Sequence, residues 1–199
     1  MIDCPEYKGH LVLLMAPSGS GKKMLLDGLG ELAKEIYFAK SYTSRARREG
    51  TEENPKYVFV SREKFEDMIE KDAFIEYANF SGNYMGTPKS ELVDTLCSPQ
   101  VVFKEMELQG VQQIKQLVPK ENLTVIYIDA GSWEDLKERV LARAPIDAEE
   151  LRLREQRYQE EVKFIPEADI IVHNRNGEGD AAIANFRDII TKILESVRS

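Results

Sequence analysis

Apolar positions along the chain follow two rhythms, short unbroken runs and helical spacings, and these alternate. Leu11-Val12-Leu13-Leu14-Met15 is a continuous apolar run ending in a Pro- and Gly-containing loop, which predicts a buried strand of a parallel sheet. Over residues 21–36, Met24, Leu25, Leu29, Leu32 and Ala33 recur at helical spacing and predict an amphipathic helix. Val101-Val102-Phe103, Thr124-Val125-Ile126-Tyr127-Ile128 and Ile170-Ile171-Val172 predict further buried strands. Helices are predicted over 108–117, 132–142 and 179–197. Such a βαβα order argues for an α/β fold with a parallel sheet covered by helices on both faces.

Two stretches break the rhythm. Residues 40–97 carry short mixed strands, Tyr57-Val58-Phe59-Val60 and Phe74-Ile75-Glu76-Tyr77, with a small helix opening at Ser61. They predict an inserted subdomain. Residues 139–158 hold Arg139, Arg143, Arg152, Arg154 and Arg157 and predict a helical flap.

Composition narrows the function. The 199 residues suit one domain, and 42% hydrophobic with 31% charged residues is ordinary for a globular protein. The net charge of −8 makes the chain a poor general binder of nucleic acid or anionic membranes, so any polyanionic ligand must be met by local basic clusters. Cys4 and Cys97 form no framework and no CxxC pair, which points to a reduced compartment. His10 and His173 have no nearby ligand cluster, and no zinc site is expected. The apolar run Leu11 to Ala16 is too short for a signal core or a membrane span. The expected compartment is the cytoplasm.

The first strand runs into Ala16-Pro17-Ser18-Gly19-Ser20-Gly21-Lys22, and a helix follows. Strand, loop ending Gly-x-Gly-Lys and helix are what a P-loop requires. Glycines let backbone N–H groups turn inward to phosphates, the helix N-terminus adds partial positive charge, and Lys22 adds a full one. The loop departs from the strict pattern twice. Ala16 stands at its first glycine, and Lys23 replaces the hydroxyl residue that normally ligates Mg²⁺. An ammonium about 4 Å from Mg²⁺ would be repelled by roughly 8 kcal/mol at an effective dielectric of about 20. Lys23 must therefore either swing away or reach a phosphate and take over part of the metal's work.

Further motifs follow in order: Ser41-Tyr42-Thr43-Ser44-Arg45-Ala46-Arg47-Arg48, then Tyr57, Phe74-Ile75-Glu76-Tyr77-Ala78, Gly82-Asn83-Tyr84-Met85-Gly86-Thr87 and Glu105-Met106-Glu107-Leu108-Gln109-Gly110. With the loop, these resemble the guanylate kinase family, whose Ser-x-Thr-Thr-Arg-x-x-Arg, Glu-Trp-Ala, Gly-Asn-Tyr-Tyr-Gly-Ser/Thr and Asp-x-Asp-x-Gln-Gly segments occur in that order. The resemblance runs from about residue 9 to 195. It implies a P-loop NTPase-type sheet as a single domain over 1–199. Its core would be about 1–39, 98–137 and 159–199, with a GMP-binding insert at about 40–97 and a helical lid at about 138–158.

The resemblance also implies roles. Residues 16–23 would hold ATP. Ser41, Arg45, Arg48 and Tyr57 would hold the GMP phosphate, and Glu76, Thr87 and Glu107 the guanine. Lys22, Arg45, Arg139, Arg143 and Arg154 would stabilise the transferring phosphoryl group, and Glu105 would bear indirectly on Mg²⁺. The expected partners are ATP with Mg²⁺ and GMP or dGMP, with no nucleic acid and no membrane. The expected assembly is a monomer or weak homodimer.

Four departures stand against the pattern. They are Lys23, Met85 at the motif's second tyrosine, glutamates at both aspartates, and Arg47-Arg48-Glu49-Gly50-Thr51 for Pro-Arg-x-Gly-Glu. A thioether cannot donate the lost tyrosine hydrogen bond to a phosphate, a loss of roughly 1.5–3 kcal/mol. Two readings therefore stand at this point. One is an ATP-dependent GMP kinase of reduced turnover; the other is a catalytically weakened module that binds a nucleotide or a phosphopeptide.

Overall fold

The computed structural model describes residues 6–47, 56–80, 82–143 and 145–198. Nine strands and seven α-helices are seen among them. They are β1 (His10–Met15), α1 (Lys22–Gly28), β2 (Ile36–Phe38), β3 (Ser41–Thr43), β4 (Tyr57–Phe59), α2 (Arg62–Glu70), β5 (Phe74–Phe80), β6 (Asn83–Pro88) and α3 (Val93–Leu96). Then come β7 (Val101–Glu105), α4 (Leu108–Ile114), β8 (Leu123–Asp129), α5 (Trp133–Arg143), α6 (Ala148–Glu161), β9 (Ile170–His173) and α7 (Gly179–Arg198).

The main sheet has the order β2-β7-β1-β8-β9, and every pairing in it is parallel. Its central strand β1 is fully buried from Leu11 to Met15, which is why that run shows no polar alternation. Alternate residues serve opposite faces. Leu11, Leu13 and Met15 pack with Val102, Val111, Ile114 and Tyr127 on one side. Val12 and Leu14 pack with Leu25, Phe103, Phe186 and Ile190 on the other. Burying each such side chain stabilises the fold by roughly 1.5–3 kcal/mol. Helix α7 contributes Ala182, Phe186, Ile190 and Leu194, a stripe spaced by four residues that lies on one helical face.

Strands β3 to β6 make a second, mixed sheet in the order β4-β3-β6-β5. Phe65 of α2 stacks on Phe74 and Tyr84, with centroids 4.3 and 5.2 Å away, and joins helix to sheet. Ser61 caps α2 by accepting from the Lys64 N–H at 3.1 Å, as a serine at the helix start predicts.

The structure corrects the reading at three points. The helix predicted over 21–36 stops at Gly28, because Gly30 takes a left-handed φ of 57°. A 3₁₀ turn (Gly30–Glu35) and the short edge strand β2 complete that stretch. The flap is not one element: α5 ends at Arg143, and α6 restarts where the Asp147 carboxylate accepts from the Glu150 N–H at 2.8 Å. Cys97, after α3, is disulfide-bonded, where the sequence reading expected no disulfide framework. Among the described residues, no helix is long and apolar enough to cross a membrane.

Candidate active site

The loop 16–21 leaves β1 at the edge of a cavity of about 600 Å³. Its tight path needs Gly19 at φ 85° and Gly21 at φ 88°, where side-chain-bearing residues are strained. A Cβ on Gly21 would also strike the Asn174 amide. That amide, 4% exposed just beyond β9, donates to the Ser20 carbonyl at 2.7 Å and clamps the loop to the end of β9, two strands away in the sheet. The Ser20 side chain is buried, and its hydroxyl has no partner among the described residues.

Lys22 opens α1 and folds its ammonium over the loop, donating to the carbonyls of Ala16 at 2.5 Å and Pro17 at 3.5 Å. Burial lowers its pKa, while the carboxylates of Glu105, Glu161 and Glu107 act in the opposite direction. The next residue takes another course. Lys23 is exposed along α1, and its ammonium is paired with Asp27, one helical turn on. Of the two outcomes the sequence left for Lys23, this geometry is the one that swings away, and the expectation of an ammonium reaching a phosphate finds no support in it.

The second sheet supplies the opposite wall. Parallel pairing of β3 with β4 sets Ser41 beside Tyr57, and antiparallel pairing of β5 with β6 sets Glu76 beside Thr87. Ser41, Tyr57, Glu76 and Met85 all line the cavity. Thr87 is fully buried, and its hydroxyl donates to Glu76 Oε1 at 2.6 Å, so it holds the carboxylate rather than lining the wall itself. Burial raises the Glu76 pKa, opposed by the Thr87 hydrogen bond and the charge of Lys104. Arg45 is half-buried and outside the cavity wall, with its backbone N–H on the Thr43 hydroxyl. Arg48 lies outside the described residues.

The end of β7 brings Lys104, Glu105 and Glu107 to the wall. Glu105 is paired with Lys56, so the carboxylate expected near a metal faces an ammonium instead. Among the described residues no cluster of three His, Cys, Asp or Glu could hold a metal ion. With Lys23 turned to Asp27 as well, these side chains do not build a protein-held Mg²⁺ site.

Helix α6 closes the third side. Arg154 donates to the Ser18 hydroxyl at 2.7 Å and pairs with Glu150, tying this helix to the loop. Arg139 of α5 instead grips the Asn174 carbonyl at 3.0 Å and the Asn176 amide oxygen at 2.8 Å, beside the loop but outside the cavity wall. Arg143, the last residue of α5, is exposed and also outside that wall.

Arg157, Glu161 and Lys104 are among the wall residues not singled out as site residues from sequence. Arg157 was visible only as one of the arginines of the flap. Glu161 gave no signal; burial lifts its pKa to about 7, partly opposed by Lys22. Lys104 could have been found as the first charge after the apolar run 101–103. It is 4% exposed, and burial pushes its pKa down to about 8 against the carboxylates of Glu76, Glu91 and Glu105.

A parallel sheet, a phosphate-type loop at the end of its central strand, and basic groups converging on one cavity define a P-loop phosphotransferase. Comparison with known proteins takes this further. The family model described as guanylate kinase matches residues 8–193. A guanylate kinase of Wolinella succinogenes is 38% identical over 169 residues, covering 85% of this chain and 78% of that protein. One from Trichormus variabilis is 38% identical over 170 residues, covering 85% and 84%. The crystal structure of guanylate kinase from Anaplasma phagocytophilum shares the fold with a TM-score of 0.69 at 24% identity, over 94% of this chain and 87% of that one. The chain belongs to the guanylate kinase family, and it is an enzyme, a nucleotide monophosphate kinase.

Proposed function

We propose that the enzyme transfers the γ-phosphoryl group of ATP to GMP, and also to dGMP, giving the diphosphate and ADP. The observation that carries this reading is Glu76. Its carboxylate is anchored through one oxygen by Thr87 and lines the same cavity as the loop lysine Lys22. Guanine presents N1–H and a 2-amino group side by side, and an ionised carboxylate accepts from both. Adenine has a lone pair at N1 and no 2-amino group, so it would leave the carboxylate unsatisfied.

In this reading residues 40–97 are the acceptor-binding insert and 138–158 the lid. ATP binds with its phosphates in the loop 16–22, and Mg²⁺ carried by the nucleotide would supply charge neutralisation. Lys22 exchanges its bonds to Ala16 and Pro17 for phosphate oxygens. Arg154, already over the loop on Ser18, screens charge on the transferring group from the lid side. A GMP phosphate oxygen attacks the γ-phosphorus in line, and ADP leaves with the electrons of the broken P–O bond. Alignment and charge neutralisation carry such a reaction, with little covalent help from the protein. Turnover is reduced by the absence of a hydroxyl at Lys23 and by the thioether of Met85 in the cavity wall. The non-catalytic module is the less favoured reading, because the relatives that match are kinases. The proposed compartment is the cytoplasm, as the nucleotide substrates suggest.

Glu76→Gln tests the reading. An amide can place only one acceptor toward the base, so kcat/KM for GMP should fall about 10-fold to 150-fold, the loss of one charged hydrogen bond. An unchanged value would remove Glu76 from guanine recognition.

A further inference from the structure

Lys104 is the charged side chain that the fold buries most completely among the described residues, at 4% exposure. It follows three buried apolar residues on β7, and strand alternation sets it on the same sheet face as Val102, which packs against α4. A leucine or methionine would suit that position better, because a buried ammonium loses its hydration. What the lysine does there is specific. Its ammonium donates to the Ala39 carbonyl at 3.2 Å and to the Ser41 hydroxyl at 2.7 Å. An ammonium has three donors, so one remains.

The carboxylates facing it come from β5 (Glu76), the turn after β6 (Glu91) and β7 itself (Glu105). Two of them are engaged elsewhere. Glu91 accepts from the Tyr37 hydroxyl at 2.8 Å and the Lys40 N–H at 2.9 Å, and Glu105 is paired with Lys56. Glu76 accepts from Thr87 and lines the cavity, and Lys104 lines the same cavity without a direct ion pair among the described residues. A fixed donor and a fixed acceptor thus stand side by side in one wall.

We propose that Lys104 is a specificity-determining residue of the acceptor half, whose remaining N–H donates to the 6-oxo group of guanine while Glu76 accepts from N1–H and the 2-amino group. The inference rests on the reading of GMP as acceptor. Guanine carries O6 as an acceptor next to its N1–H, so one lysine beside one carboxylate complements that edge. Ser41, whose oxygen accepts from Lys104, fixes where the ammonium sits.

The test is a cycle between protein and ligand. Initial rates are measured for wild type and Lys104→Met with GMP and with 6-thio-GMP, whose sulfur is a much weaker acceptor. Wild type should lose at least about 10-fold in kcat/KM on going from GMP to the thio analogue, the loss expected for a hydrogen bond to a charged group. Lys104→Met should raise KM for GMP by a similar factor, leave KM for ATP unchanged, and cut the preference for GMP over 6-thio-GMP to within about two-fold. Thermal melting checks that the variant folds, and Lys104→Leu repeats the measurement should the methionine variant prove unstable. Equal use of the two nucleotides by wild type, or an undiminished preference in the folded variant, overturns the assignment. A wild-type enzyme that phosphorylates no GMP overturns the parent reading instead, and the two failures are told apart by that first measurement.

Discussion

Gly21→Ala is predicted to damage the phosphate loop by two separable routes. The residue caps α1 at φ 88° and ψ 18°, a left-handed conformation that costs an alanine roughly 1–2 kcal/mol. The added methyl would also collide with the Asn174 amide, which must then release the Ser20 carbonyl that it holds at 2.7 Å. Asn174 is 4% exposed, so a displaced amide has little water to turn to, and the loss is about 1–3 kcal/mol. Together the routes predict a destabilisation of about 2–5 kcal/mol. With a urea m-value of about 2 kcal/mol/M, the unfolding midpoint should fall by about 1–2.5 M. Gly177→Ala is the control, because Gly177 has φ 84° but a Cβ there meets nothing within 4 Å. It should show the backbone cost alone, about 1–2 kcal/mol. If the two variants lose the same stability, or Gly21→Ala loses under about 0.5 kcal/mol, the clamp between Asn174 and the loop is not what holds the loop's shape.

Lys23→Ser removes an exposed i,i+4 pair with Asp27, worth about 0.3–0.5 kcal/mol, so melting should barely move. It also restores the hydroxyl that a P-loop offers to Mg²⁺, and kcat with ATP and Mg²⁺ should rise by about 10-fold; an unchanged rate and metal dependence would show that position 23 does not limit turnover. Glu161→Gln should stabilise the enzyme at pH 8 and not at pH 4. The native carboxyl titrates at about 7, above its unfolded value, so its favourable contribution is complete below the unfolded pKa and is lost as pH rises through about 7. Discounted for its partial exposure, the gain at pH 8 should be about 1–2 kcal/mol, read as a melting-temperature difference between variant and wild type. The same difference at both pH values would contradict it.

Much of the fold was legible because the buried strands carry undiluted apolar runs. Leu11 to Met15 and Thr124 to Ile128 lie in β1 and β8, and the loop between β1 and α1 carries its own signature of glycines and lysine. Edge elements were less legible. Strand β2 is only Ile36-Tyr37-Phe38, and its residues also fit the helical spacing that precedes them. Strand β6 reads as a turn-rich motif, Asn83 to Pro88, and becomes a strand only by pairing with β3 and β5. The cavity wall was legible where a motif carried it, since Lys22, Ser41, Tyr57 and Glu76 all line it. Orientation was not. That Lys23 lies on Asp27, that Thr87 is spent on Glu76 and that Glu105 meets Lys56 depend on neighbours distant in sequence or on a helix face. Lys104 and Glu161 have no motif, and only their burial beside the cavity marks them.

The central claim is that the carboxylate at Glu76 and the loop at 16–22 serve one reaction between ATP and GMP. The direct test is a coupled assay of the wild-type chain with ATP, Mg²⁺ and each nucleoside monophosphate in turn. The account predicts GDP formation, with kcat/KM for GMP exceeding that for AMP, CMP or UMP by about 10⁴-fold, the margin available when a wrong base leaves buried polar groups unpaired. No GDP at micromolar enzyme, or AMP accepted as readily as GMP, would contradict it.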